Sequence, residues 1–254
     1  MVYYVTYRPP LDLEIRRQVE EQLNTLGGRQ IRGSFWAISK RDLLAARTVL
    51  QKLSPLLLRR TREIRKLDLA NGKEQKDLGS LIIIAYKATK DMKKEKVRNW
   101  LRRAPCLRLS PGVYAFPQRR FFDKTGRLVN AGSFWELVRQ FDEDAVIIPR
   151  LVVVNTKAVD RLIDETGRRV VKETTKIIEG YKTLFKKASQ DDVNRQHAVE
   201  IARRIRRRFV TIKKVAAIYE EWLKLDLGST VMKPYPAMRK VRLMLEEKYG
   251  TPSW

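Results

Sequence analysis

The chain has 254 residues, of which 43% are hydrophobic, and 54 Lys and Arg against 29 Asp and Glu give it a formal net charge of +25. This composition excludes a disordered chain, allows a sizeable core and indicates an acidic partner. A single cysteine and a single histidine exclude an intramolecular disulfide and His-rich zinc sites. No apolar run reaches the ~20 residues that span a bilayer. We therefore expect a cytoplasmic protein with no membrane segment and no cofactor.

The N-terminal part of the chain contains one pattern twice. An apolar run at 2–7 precedes a helical stretch and two short strands, and the same order returns about 78 residues later, beginning at 80–86. Matching positions carry similar residues: Val19 and Val97, Leu23 and Leu101, Ile31 and Leu109, Trp36 and Tyr114. A period of this length indicates a duplicated domain rather than a solenoid repeat.

Each copy predicts the order β-α-β-β-α-β, which is the ferredoxin-like arrangement. A turn signal at 123–126 predicts a projecting hairpin inserted in the second copy. The fold class that we predict is α+β, with tandem ferredoxin-like units followed by a helical C-terminal region. The predicted boundaries are 1–65 for unit 1, 66–79 for a linker, 80–155 for unit 2 with its hairpin at 118–131, and 156–254 for the helical region.

Helical periods dominate after residue 156. We predict a first helix at 157–184, interrupted near Gly167, and a second that begins after a capping region at Asp191 and Asp192. The second helix carries an apolar stripe that we assign to the core: Ile201, Ile205, Phe209, Ile212, Ala216, Tyr219 and Trp222.

The same helix carries the densest group of cations in the chain. They should repel one another unless phosphate or carboxylate neutralises them, so we predict that they contact nucleic acid. The alternative is a solvated face partly paired with Glu200 and Glu220. A highly charged, thermophile-like surface would keep the two signs of charge in rough balance, which this sequence does not.

Catalytic motifs are scarce. Cys106 has an apolar context that favours a core position, and His197 is expected at the surface near a helix start. The glycine-rich loops typical of nucleotide sites are absent from the sequence, while a carboxylate site for magnesium remains open. Trp36 and Tyr114 could stack on bases, but their equivalent strand positions favour core packing.

Short motifs in the second copy suggest a family. The segments 83–89, 97–103 and 110–117 resemble the superfamily of the CRISPR adaptation subunit Cas-two. The closer likeness is to the N-terminal region of ChrB-type chromate-resistance regulators, with PaaX-type repressors as more distant relatives. The likeness covers roughly residues 79–227 and implies a DNA-binding regulator, with a link to metal-oxyanion response by analogy alone.

The resemblance also bears on catalysis. Nuclease members of that superfamily carry a metal-binding aspartate just after the first strand, where this chain has Arg8 and Lys87. A cation there would repel Mg²⁺ and attract phosphate. Asp91 is the nearest carboxylate, and helix capping is its expected role. We therefore expect no nuclease activity and no bound metal.

The function that we predict is non-catalytic nucleic-acid binding, to DNA in preference to RNA, by a candidate transcriptional regulator whose two units form a pseudo-dimer. The predicted phosphate-binding residues are Arg8, Lys87, Arg102, Arg103, Arg119, Arg120, Arg203, Arg204, Arg206, Arg207, Arg208, Lys213 and Lys214. One alternative is a metal-dependent nuclease of the same fold. Another is an RNA- or ribosome-associated assembly factor that binds a protein through its C-terminal tail, which contains Met232, Tyr235, Pro236 and Trp254.

Overall fold

The computed structural model describes residues 1–65, 77–87, 94–118, 126–190 and 192–250. The chain divides into two compact units, Met1–Asp164 and Glu165–Trp254. The first unit is α+β, and the described part of the second is helical. Among the described residues, no helix combines the length and the apolar character needed to cross a bilayer.

The described part of the first unit forms one antiparallel sheet of eight strands with helices between them. Its first half consists of β1 Val2–Thr6, α1 Leu13–Thr25, β2 Arg29–Arg32, β3 Phe35–Ser39, α2 Leu43–Leu50 and β4 Leu56–Arg60. Its second half consists of β5 Leu81–Ala85, α3 Lys94–Arg102, β6 Leu107–Ser110, β7 Val113–Pro117, α4 Ala131–Arg139 and β8 Val146–Val153. Most of the predicted linker (66–76) and of the predicted hairpin (119–125) lies outside the described residues.

The strand order is β2-β3-β1-β4-β8-β5-β7-β6, so the two halves meet where β4 pairs with β8. Leu58 of β4 lies opposite Val153, and Arg60 lies opposite Leu151. The beginning of β8 pairs instead with β5, where Ile148 lies opposite Ile83. One strand therefore joins both halves into a single sheet.

One face of each half packs against its own helices, because successive side chains of a strand point to opposite faces of the sheet. The first-half cluster includes Val5, Trp36 and Leu57 from the strands and Val19 and Leu23 from α1. The second-half cluster includes Ile84, Tyr114 and Phe116 from the strands, Cys106, and Phe134 from α4. The core positions predicted for Trp36, Tyr114 and Cys106 are confirmed.

The other face of the sheet is also buried, because the sheet folds back on itself. The hydroxyl oxygens of Thr6 in β1 and Ser110 in β6 are 2.9 Å apart, and the Ser34 hydroxyl lies 2.8 Å from that of Ser110. Five strand spacings separate β1 from β6, which is about 24 Å in a flat sheet. The two halves therefore face each other. Arg32 of the first half adds an ion pair with Asp144 of the second at 2.5 Å.

The second unit is built on two long helices, α5 Thr156–Ser189 and α6 Arg195–Leu223, followed by α7 Gly228–Met232 and α8 Tyr235–Tyr249. The predicted interruption of the first helix is wrong, since α5 runs through Gly167 without a break. The two long helices approach closely at Gly180, where an added Cβ would lie 3.3 Å from Ile205. Lys240 of α8 lies over the Phe185 ring, 4.4 Å from its centroid, and this places α8 against α5.

Gly112, in the turn between β6 and β7, lies close to the backbone of Tyr86. Its φ is +77°, and an added Cβ would lie 2.3 Å from the Tyr86 carbonyl oxygen. Gly33, in the turn between β2 and β3, also has a positive φ of +50°, but an added Cβ there would meet no atom within 4 Å.

We predict that Gly112→Ala lowers the free energy of unfolding by about 3 kcal/mol or more, because it combines backbone strain with a clash against backbone. Gly33→Ala, which adds the strain alone, should cost about 1 kcal/mol. Urea unfolding followed by circular dichroism measures both losses. Equal losses for the two variants would contradict the close approach at Gly112.

Candidate nucleic-acid interface

The helix α6 has a defined start and a buried stripe. Its N-cap is Asn194 rather than the predicted Asp191 and Asp192, and the Asn194 side chain accepts a hydrogen bond from the His197 backbone N–H at 2.9 Å. The His197 side chain is exposed, as predicted. Five residues of the predicted apolar stripe are buried: Phe209, Ile212, Ala216, Tyr219 and Trp222. The other two, Ile201 and Ile205, are half-buried. The stripe fixes which side of α6 faces outwards.

Five cations of α6 lie outside the buried stripe. At 100° per residue, Arg203, Arg207 and Lys214 lie within about 40° of one another, on the side opposite the buried stripe. Arg204 and Arg206 are exposed on either side of them. The five side chains extend over about 16 Å of the helix axis. We call Arg203, Arg204, Arg206, Arg207 and Lys214 the basic face.

Arg208 and Lys213 lie at the two borders of the basic face and are engaged within the unit. Arg208 donates to the Glu173 carboxylate of α5 at 2.9 Å. The Lys213 ammonium lies 3.4 Å from the Tyr235 hydroxyl and over the same ring. These two cations therefore contribute to packing as well as to charge.

Two arginines of the basic face stand out. Within the described part of the chain, the guanidinium groups of Arg204 and Arg207 make no ion pair or hydrogen bond, and both side chains are exposed. Their positive charges lie one helical turn from other cations, which is unfavourable without an anion. A phosphate is the natural ligand, because a guanidinium can donate two parallel N–H bonds to it.

Sequence patterns had not indicated a further set of cations on α5. Lys172, Lys182 and Lys186 are exposed, and they belong to a helix that packs against α6. Residues 165–254 carry 21 Lys and Arg against 11 Asp and Glu. The positive charge of the second unit is therefore not confined to one helix. The sequence feature that could have revealed these cations is the helical spacing of the lysines.

The predicted cations at the strand ends lie in the first unit. Arg8 and Lys87 are exposed directly after the buried Tyr7 and Tyr86. Burial raises the pKa of both phenols, that of Tyr7 to about 12, so neither phenol places an anion beside these cations. The Lys87 backbone N–H donates to the Asp142 carboxylate at 2.7 Å.

The remaining predicted residues differ in their surroundings. Arg102 is half-buried and donates to the Asn99 side chain at 2.9 Å. The Arg103 guanidinium donates to the carbonyl oxygens of Arg127 and Gly126, at 2.6 and 3.1 Å, and so holds the chain that precedes α4. Arg119 and Arg120 lie outside the described residues.

Carboxylates do not gather into a metal site in the part of the chain that the structure describes. No group of three or more His, Cys, Asp or Glu side chains there could hold a metal ion. Asp142 and Asp144 lie close together, but Arg32 pairs with both, at 3.4 and 2.5 Å. Asp91 lies outside the described residues.

Three residues of the predicted C-terminal partner surface lie among the described residues, and one of them, Pro236, is exposed near the start of α8. Met232 is 49% exposed at the end of α7. Tyr235 is half-buried and packs edge-on against Phe209, with ring centroids 5.1 Å apart. Trp254 lies outside the described residues.

The chain was compared with known proteins in three ways. No family model matches it, and neither a curated protein nor a solved structure does.

Glu173, which pairs with Arg208 and Lys176, should make the second unit sensitive to acid. Burial by itself would raise the pKa of Glu173, but the hydrogen bonds and charges of Arg208 and Lys176 outweigh it and hold the pKa below 4.5. Because the folded-state pKa is the lower one, the stabilisation is present above pH 4.5 and is lost as the pH falls through the folded-state value.

We predict that Glu173→Gln lowers the free energy of unfolding by about 1 kcal/mol at pH 7 and by less at pH 3. Glu200→Gln, at an exposed position of α6, should change little at either pH. Urea unfolding at the two pH values tests this. A loss for Glu173→Gln that is as large at pH 3 as at pH 7 would contradict the role given to the ion pair.

Proposed function

We propose that the protein binds nucleic acid, duplex DNA in preference to RNA, through the basic face of α6. The observation that carries the proposal is the pair Arg204 and Arg207, two exposed guanidiniums with no ion pair or hydrogen bond among the described residues, on a helix crowded with further cations. The buried apolar stripe supports it, because it holds these side chains on the outward side of a packed helix.

Phosphate contacts of this kind give affinity and salt dependence but read no sequence. Each phosphate neutralised by a cation releases counterions, so the logarithm of the binding constant falls by about 0.9 per contact for each tenfold rise in salt. Sequence reading would need contacts to base edges. The likeness to ChrB-type and PaaX-type proteins extends the proposal to transcriptional regulation and to membership of the Cas-two-like superfamily.

The proposal includes the architecture of the first unit. The two halves of this compact unit are the tandem ferredoxin-like repeats, and they act as a pseudo-dimer within one chain. The mirrored strand orders β2-β3-β1-β4 and β8-β5-β7-β6 support this, as do the helix pairs that cover one face of each half. The hydroxyl contacts of Ser110 with Thr6 and Ser34 support a face-to-face arrangement of the halves.

The test is a titration of a duplex DNA oligonucleotide with the double variant Arg204→Glu and Arg207→Glu. Two lost phosphate contacts should reduce the log-log salt slope by about 2 and weaken binding at least tenfold at moderate salt. The matched control is Arg17→Glu with Arg41→Glu, which changes the net charge equally at two exposed positions of the first unit.

Equal weakening by both double variants would overturn the proposal, since binding would then follow net charge alone. The same titration with structured RNA, and with Mg²⁺ or a chelator present, separates the alternatives. Tighter binding of RNA than of DNA would favour an RNA-associated factor. Cleavage that the chelator abolishes would favour a nuclease.

A further inference from the structure

A cleft in the first unit shares no lining residue with the basic face or with the predicted phosphate-binding residues. It has a volume of about 720 Å³ and is bounded by the end of α2, the residues before β4 and the beginning of α5. Small-molecule sites in proteins are typically about 300–1,000 Å³. The cleft is therefore large enough for a small organic ligand.

The base of the cleft is apolar. Pro55, Leu57, Val154 and Ala158 contribute to its lining, and Val154, directly after β8, is 47% exposed. An exposed branched side chain in a concavity gains from contact with an apolar group of a ligand. A bare inorganic ion would leave this surface in water.

Two arginines supply positive charge to the same cleft. Arg47 is exposed on the last turn of α2, and Arg161 comes from α5. One Arg161 N–H donates to the carbonyl oxygen of Ser54 at 3.3 Å, which fixes the guanidinium at the wall. Gln51, which also lines the cleft, adds an exposed amide. The charge complements a carboxylate or a phosphate.

Hydrogen bonds join the lining residues before and within β4 to those after β8. The Asn155 side chain accepts from the Leu57 backbone N–H at 2.9 Å and donates to the Pro55 carbonyl at 2.8 Å. The Val154 backbone N–H donates to the Leu57 carbonyl at 2.9 Å. The apolar base and the place of Arg161 are therefore set before a ligand arrives, which lowers the entropic cost of binding.

We propose that this cleft binds a small organic anion, in which a carboxylate or phosphate group meets Arg47 and Arg161 and an apolar body covers Val154. This inference is independent of nucleic-acid binding. The basic face lies on α6 in the other unit, and its substitution should leave the cleft unchanged.

The test is a ligand-observed NMR titration of the full chain with four probes: benzoate, phenyl phosphate, neutral benzamide and inorganic phosphate. We expect saturable binding of benzoate or phenyl phosphate with a dissociation constant of about 1 mM or tighter. Benzamide and inorganic phosphate should each bind at least about tenfold more weakly, because one lacks the charge and the other the apolar body. Whichever of benzoate and phenyl phosphate binds more tightly identifies the preferred anionic group as a carboxylate or a phosphate.

Variants locate the site. Arg47→Gln and Val154→Asp should each weaken binding of the preferred probe about tenfold, while Arg41→Gln, near the start of the same helix, should not. Unchanged circular dichroism and thermal midpoints would establish that these surface variants fold. Benzamide binding as tightly as benzoate, an equal loss for Arg41→Gln, or no saturable binding of either aromatic anion would each overturn the proposal.

Discussion

The first unit depends on one strand, β8, which hydrogen-bonds to both halves of the sheet. Its beginning pairs with β5 and its end with β4. Within the β5 pairing two residues, Pro149 and Arg150, lie opposite Ile82 alone, which is a β-bulge. Arg150 has a φ of 61°, and its carbonyl accepts from the Thr61 backbone N–H at 2.9 Å. The bulge bends β8 directly before the residues that pair with β4, at the junction between the two halves.

In the second unit, the apolar side chains of α6 lie on one side of the helix and its exposed cations on the other. The buried stripe of α6 holds the helix in place, and the packing against α5 at Gly180 leaves the opposite side exposed. Glu173 neutralises Arg208 at the border. The exposed centre, with Arg204 and Arg207, has no such carboxylate among the described residues. Charge repulsion on this face is tolerable because water screens it, and a polyanion would relieve it further.

Local patterns in the sequence predicted much of the first unit and the outward side of α6. The internal repeat placed Trp36 and Tyr114 at equivalent strand centres that prove buried, because an apolar strand run is a local feature of the sequence. The predicted break at Gly167 is wrong, because a glycine inside a helix costs only about 1 kcal/mol and the 34-residue α5 has packing on both sides of it to offset that cost. The pairing of β4 with β8, the use of Arg103 to hold backbone carbonyls and the cleft at Arg47 arise from contacts distant in sequence, and no local pattern encodes them.

Cross-linking tests most directly the claim that the basic face of α6 lies against nucleic acid. The full chain would be irradiated with a duplex DNA oligonucleotide at moderate salt, digested, and its cross-linked peptides mapped by mass spectrometry. The account predicts cross-links within residues 203–214 that disappear at high salt, because the contacts are to phosphate. Efficient cross-linking with none of it in α6 would contradict the account and place the nucleic-acid surface elsewhere on the protein.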